Sequence, residues 1–229
     1  MITQKERAER FDRLMKSVIF LLCYTPCRYM QPLRLPLILA SGSPRRREIL
    51  ERLRIPFEVI VADIDETPNA TESAKAMVTR LAKEKAAAVA AQHPGRWVLA
   101  ADTTVAFRNT VLGKPKKDKD AQRMLTQLSG KRHEVFTGVC LRRDSDVFSF
   151  CDTTEVHFRT VTPAMIRWYV RTGEPMDKAG AYAIQGTGAF LIQRMTGSMT
   201  NVVGLPVEKL VTLLIKQKIV TFTDARIAR

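Results

Sequence analysis

The chain has 229 residues, long enough for one large domain or two small lobes around a cleft with a buried core. Hydrophobic residues make up 45% and charged residues 26%, an ordinary globular balance, and a net charge of +14 favours anionic partners: nucleotides, nucleic acid or a membrane surface. Cys23, Cys27, Cys140 and Cys151 form no Cys-x-x-Cys pair and His93, His133 and His157 are scattered, which argues against a zinc site and a disulfide scaffold and for a reducing, cytoplasmic setting.

Residues 1–34 differ from the rest. Lys5–Lys16 is charged with a helical pattern, and Ser17–Tyr24 is an apolar run too short to span a bilayer. Glu6, Glu9 and Asp12 dilute the basic start, and no small-x-small cleavage site follows, so a signal peptide is disfavoured. This segment is expected to be an extension, either an extra helix or a stretch upstream of the true start.

From Leu35 onward strands and helices alternate, which predicts an α/β architecture over residues 35–218, with 219–229 as a tail. The apolar run Leu35–Ala40 reads as a buried strand ending in the tight turn Ser41-Gly-Ser-Pro44. Ser43 suits a helix cap and Pro44 the first helical position, and Ile49, Leu50 and Leu53 form one apolar face. The free N–H groups of that turn, with the guanidinium forks of Arg45 and Arg46, suit a phosphorylated ligand. The plainer alternative is a capped helix with solvated arginines.

Pro56–Val61 is the next predicted strand, followed by the acidic loop Asp63–Glu66. Glu72–Gln92 is a long Ala-rich helix. Lys75, Thr79 and Lys83 share a polar stripe, whereas Lys85 continues the apolar stripe of Met77 and Leu81. Such a lysine either snorkels outward or points at an anion in a cleft. Trp97–Phe107 is a strand carrying Asp102 after Val98-Leu-Ala-Ala101. A carboxylate there is paired or metal-bound, or else it caps a turn. Glu66 is the second carboxylate of interest; the pair, facing several cations, would suit a Mg²⁺–phosphate site.

Asn109 suits a hairpin turn into Val111–Pro115. Asp118–Ser129 is a helix, and His133–Arg142 and Val147–Val161 form a hairpin. Thr162-Pro163 opens a helix that Gly173 stops. Ala179–Gly188 reads as loop or strand end, and Pro206 starts the last helix. Walker A fails because Arg108 stands where its first glycine belongs, and Gly186-Thr-Gly188 fails the dinucleotide fingerprint at Leu191.

The ordered segments Leu39–Arg46, Arg80–Ala86, Ala101–Val105, Gly113-Lys-Pro115, Asp177–Tyr182, Ile184-Gln-Gly186 and Asn201–Pro206 together resemble the Maf family of nucleoside triphosphate pyrophosphatases. The resemblance implies a Maf/ITPase-like α/β fold, two lobes of mixed sheet and helices around a central nucleotide-binding cleft, and a homodimer. It implies Mg²⁺- or Mn²⁺-dependent hydrolysis between the α- and β-phosphates. Carried over by position, Asp102 is the proton acceptor, and Ser41, Arg46, Lys85 and Lys114 hold phosphates. Glu66 assists the metal or water, with Asp102 and Glu66 as the metal carboxylates, and Arg45, Thr103 and Gln185 match positions linked to base choice. These three resemble the dTTP/UTP branch; the 7-methyl-GTP branch has Trp, Gln and Glu there. Two positions depart from the family pattern, Ala183 for Gly and Met199 for Tyr, and both are expected at the pocket wall.

The competing reading is a basic nucleic-acid-binding module, or a cell-division interaction protein without catalysis. Only 7% of the residues are aromatic and no stacking motif or recognition helix appears, so neither a stable nucleic-acid partner nor a membrane partner is expected.

Overall fold

A computed structural model describes residues 30–32, 36–108 and 110–222. The expectations for residues 1–29 and for Asn109 lie outside the described residues. The chain divides into a compact unit, Pro32–Val220, and a second unit made of residues 1–31 and 221–229. Strand β1 (Met30–Pro32) pairs with β9 (Val220–Phe222) in a two-stranded sheet. The expected C-terminal tail therefore begins with a strand, too short for its pattern to register in the sequence.

The compact unit is built on one mixed sheet of seven strands, in the order β3-β2-β4-β6-β7-β8, with β5 beside β4. Strands β2 (Leu37–Leu39) and β3 (Phe57–Val59) run parallel, as do β2 and β4 (Val98–Phe107). Then β4, β6 (Arg132–Arg143), β7 (Asp146–Phe158) and β8 (Ile192–Thr196) run antiparallel. All three residues of β2 are buried, as expected for a short strand in a parallel arrangement. The hairpin β6–β7 turns at Asp144, whose φ of 50° is left-handed.

The pairing of β4 creates an opening. On one side, β2 reaches only to Leu39↔Leu99, and β5 (Thr110–Leu112) joins only at Val105↔Leu112. From Ala100 to Thr104 the strand has a neighbour on its other side alone, where β6 runs from Cys140 to Phe136. Chain leaving the carboxyl end of a parallel strand is where α/β sheets open their ligand crevices.

Six α-helices lie among the described residues: α1 (Pro44–Arg52), α2 (Ala74–Ala90), α3 (Asp118–Leu128), α4 (Pro163–Val170), α5 (Met199–Val203) and α6 (Val207–Lys216). Helix α2 begins at Ser73, whose hydroxyl accepts the Ala76 N–H, and buries Met77, Val78, Leu81, Ala82, Lys85, Ala86, Val89 and Ala90 on one stripe. Its alanines meet Ile38, Val98, Ala100 and Cys140 in one core. A second core joins α3 and α4 to Val105, Val135, Val156 and Phe158. The two lobes thus share one sheet, and β4 runs from one into the other. No described helix is long and apolar enough to cross a membrane.

Strand β8 and helix α5 also escape the sequence reading. Strand β8 packs on one edge with no clean alternation of burial, and α5 is five residues long, too short for helical periodicity to show. The Ala179–Gly188 stretch is not plain loop: it carries 3₁₀ turns at Ala179–Ala181 and from Thr187 to Leu191.

Candidate active site

The opening beside β4 is the floor of a cleft of about 880 Å³. Ser41, Arg45, Arg46, Glu66, Lys85, Asp102, Thr103, Lys114 and Gln185 all line it.

Asp102 and Lys85 form the centre. Both are nearly buried, at 9% and 7% exposure. The Lys85 ammonium donates to Asp102 Oδ1 at 2.7 Å and lies 3.0 Å from Glu66 Oε1. The apolar-face lysine therefore points inward at carboxylates, while Lys83 on the other stripe is exposed. Asp102 is not a turn cap: it sits mid-strand, in register with Gly138 of β6 and on the face that carries α2. A Cβ at Gly138 would fall 2.2 Å from the carbonyl oxygen of Val78. The missing side chain lets the α2 backbone settle on the sheet, and this brings Lys85 within reach of Asp102. Nothing in the sequence singles out Gly138 among the chain's glycines.

The β2–α1 turn is tied differently from expectation. Ser43 occupies the cap position, but its hydroxyl makes no cap bond, which corrects the sequence reading. Ser41 organises the turn instead. Its Oγ accepts the Ser43 N–H at 3.3 Å and Arg46 Nη1 at 2.9 Å. The first-turn N–H groups of Arg45 and Arg46 are left without a capping side chain at the positive end of the helix.

Arg46 is clamped on three sides. Nε donates to the Gly204 carbonyl at 2.9 Å and Nη2 to Thr103 Oγ1 at 3.1 Å. Thr103 and Thr137 hydroxyls lie 3.0 Å apart, and Thr137 donates to the Asn201 carbonyl at 2.8 Å. Thr137 spends its proton on Asn201, so Thr103 must donate to Thr137, and the chain of bonds runs one way from Arg46 to α5. Burial pushes the Arg46 guanidinium pKa down, opposed chiefly by the nearby Asp102 charge. Gly204 ends α5 with φ 119°, and its Cβ would lie 3.2 Å from Thr103 Oγ1. The Thr103 hydroxyl is thus committed to Arg46 and Thr137, not to Arg45 or Gln185.

Also on the cleft wall, Arg45 Nη1 lies 3.2 Å from Asp177 Oδ2. Neither Lys114 nor the Gln185 amide has a side-chain partner among the described residues. Sequence reading missed Glu174 and gave no role to Asp177, Lys178 and Tyr182 of the segment Asp177–Tyr182; all four also line the cleft. The Tyr182 hydroxyl lies 2.9 Å from Nε2 of buried His133, whose pKa burial lowers to about 4. Of the two departures from the family pattern, Ala183 lines the cleft without a positive φ, so its backbone does not require glycine. Met199 is 46% exposed and is absent from the cleft wall, contrary to expectation.

The family model described as Maf-like protein matches residues 36–217, which contain every one of these cleft residues. The chain belongs to the Maf family. A dTTP/UTP pyrophosphatase of Myxococcus xanthus is 56% identical over 178 residues, 78% of this chain and 90% of that protein. The dTTP/UTP pyrophosphatase of Halalkalibacterium halodurans is 49% identical, over 78% of this chain and 94% of its own. One from an Anaeromyxobacter species is 51% identical, over 78% and 87%. Among solved structures, the Staphylococcus aureus Ham1 protein aligns with 80% of this chain and 100% of its own, at 14% identity and a TM-score of 0.49.

Proposed function

We propose that this Maf-family chain hydrolyses dTTP and UTP to the nucleoside monophosphate and diphosphate. The observation that carries the reading is the buried Lys85–Asp102 pair in a cleft that also holds Arg46, Lys114 and Glu66. The names of the relatives support the substrate pair.

A triphosphate carries about four negative charges, which a helix N-terminus, an Arg fork and two lysines can answer. In this reading the phosphates lie along the Ser41–Arg46 turn. Ser41 keeps its proton to donate, and Arg46, held by Ser41, Thr103 and Gly204, presents its remaining N–H groups without first having to be ordered. An ammonium has three protons. Lys85 donates one to Asp102, lies 3.0 Å from Glu66, and has a proton left for a phosphate oxygen. Lys114, with no side-chain partner among the described residues, is left to meet a further phosphate oxygen.

The donor set also fits a divalent cation. Asp102 and Glu66 are hard oxygen ligands gathered on one ammonium, and no third carboxylate, His or Cys converges with them among the described residues. Mg²⁺ commonly takes one or two carboxylates and completes its shell with phosphate oxygens and water. When bound, such an ion supplies charge neutralisation to the triphosphate. Asp102 takes the proton of the attacking water, the water oxygen bonds to the α-phosphorus, and the bridging oxygen leaves with the diphosphate.

Base choice falls to the end of the cleft lined by Arg45 and Gln185. A Gln amide both donates and accepts, so it can pair with a carbonyl and the N3–H of uracil or thymine. Arg45 offers a donor to the second carbonyl and no aromatic face for a cationic 7-methylguanine.

Two measurements check this reading. The first is kcat/KM for UTP, dTTP, CTP, GTP and 7-methyl-GTP. Wild type is expected to rank dTTP and UTP first, and Gln185→Glu to cut that preference about tenfold. A wild type that works best on GTP or 7-methyl-GTP would refute the base assignment. The second compares two lysines. Lys85→Ala is expected to lower kcat/KM for UTP at least about 100-fold and Lys83→Ala less than about twofold. Equal losses would show that the inward face of α2 does not serve the chemistry.

A further inference from the structure

The Gly186-Thr187-Gly188 stretch has an internal anion as its partner. Gly173, with φ 74°, ends the turn after α4, and Glu174 follows it. Glu174 Oε2 accepts the Thr187 N–H at 2.9 Å, and Oε1 accepts the Gly188 N–H at 2.8 Å. Oε1 also accepts the hydroxyl of fully buried Tyr169, at 2.8 Å. The same Tyr169 hydroxyl takes the N–H of Ala183 at 3.1 Å.

The glycines make this closure possible. A Cβ at Gly186 would lie 2.8 Å from Glu174 Oε2, on a backbone with φ 95°, and one at Gly188 would lie 2.4 Å from the Tyr169 hydroxyl oxygen. Burial pushes the Glu174 carboxyl pKa up, but the bonds from Gly188, Tyr169 and Thr187 outweigh it and hold the group below its ordinary range. Segment 183–188 is therefore pinned at Ala183 and again at Thr187 and Gly188. Gln185 lies between the pins, lines the cleft, and has no partner for its amide among the described residues.

We propose that Tyr169 and Glu174 are positioning residues for base selection: they hold the 183–188 segment taut so that Gln185 offers its amide to the base. The proposal rests on the reading of Gln185 as the base reader. Holding a recognition loop in its bound shape lowers the ordering cost of binding. The phosphate end of the cleft stands on α1 and β4, not on this segment. Loosening the segment should therefore raise KM and blur base choice while sparing the chemical step.

The test measures kcat and KM for UTP and GTP with wild type, Tyr169→Phe and Glu174→Gln, each alone and with Gln185→Ala, and a thermal melt confirms folding. Tyr169→Phe is expected to raise KM for UTP, keep kcat within about twofold, and cut the UTP-over-GTP ratio of kcat/KM about tenfold. Glu174→Gln, which keeps one acceptor oxygen, should move the ratio the same way by a smaller factor. With Gln185→Ala present, neither change should shift the ratio more than about twofold, because the reader is gone. An unchanged ratio in Tyr169→Phe, a loss of kcat at constant KM, or an equal drop in the Gln185→Ala background would overturn the proposal. If Gln185→Ala alone leaves the preference intact, the base-reading proposal fails and this one with it. If it abolishes the preference while Tyr169→Phe changes nothing, only this one fails.

Discussion

Asp102→Asn is expected to lower kcat for UTP at least about 100-fold, the loss typical of removing a general base. The change keeps volume and hydrogen-bonding shape but removes the charge. Breaking a buried ion pair often costs about 3–5 kcal/mol, because the abandoned partner stays buried and charged. Here Lys85 retains Glu66 Oε1 at 3.0 Å, and the Asn carbonyl can still accept from it. The fold should therefore survive, with a melting temperature close to wild type. Steady-state kinetics and a melt on the same preparation check both halves. A variant keeping more than about a tenth of wild-type rate, a loss under ~1.4 kcal/mol, would remove Asp102 from the centre of the mechanism.

Gly138→Ala is expected to have the largest effect on stability. The added methyl would meet Val78 O at 2.2 Å, Val78 C at 2.5 Å and Thr79 N at 2.8 Å. All three are backbone atoms in the middle of a helix, so no side chain can rotate out of the way. Overpacking a core costs typically 1–3 kcal/mol, and a backbone clash belongs at about the upper figure. For a chain of this size that lowers the melting temperature by roughly 6–12 °C. Pushing α2 off the sheet also draws Lys85 away from Asp102, so kcat should fall even in protein that remains folded. A melt within about 2 °C of wild type, with full activity, would show that α2 can shift without cost.

These two positions also mark how far the chain could be read before its structure was known. Asp102 was legible because a carboxylate after Val98-Leu-Ala-Ala101 must have a partner, and Lys85 because helical spacing sets it with Met77 and Leu81. Their meeting across 17 residues was not legible, since it depends on Gly138, and no local pattern says which glycine faces a helix backbone. The Ser41–Arg46 turn was legible as a tight turn opening a helix, but its wiring was not. Arg46 is braced by Gly204, 158 residues away, and by Thr103. Thr103 matched a base-choice position by resemblance, yet its hydroxyl is occupied by a chain of bonds leading to Asn201. The pairing of Thr187 and Gly188 with Glu174, 13 and 14 residues earlier, was invisible for the same reason. Long strands and helices announced themselves by periodicity, whereas β8, α5 and β9 are too short to do so.

The central claim is that water attacks the α-phosphorus of a pyrimidine triphosphate under the control of Asp102. Hydrolysis of UTP in ¹⁸O-labelled water with Mg²⁺, followed by mass spectrometry of the products, tests it most directly. The account predicts UMP carrying one ¹⁸O and unlabelled diphosphate, with the reaction lost in Asp102→Asn. Label in the diphosphate, or UDP and orthophosphate as products, would contradict it.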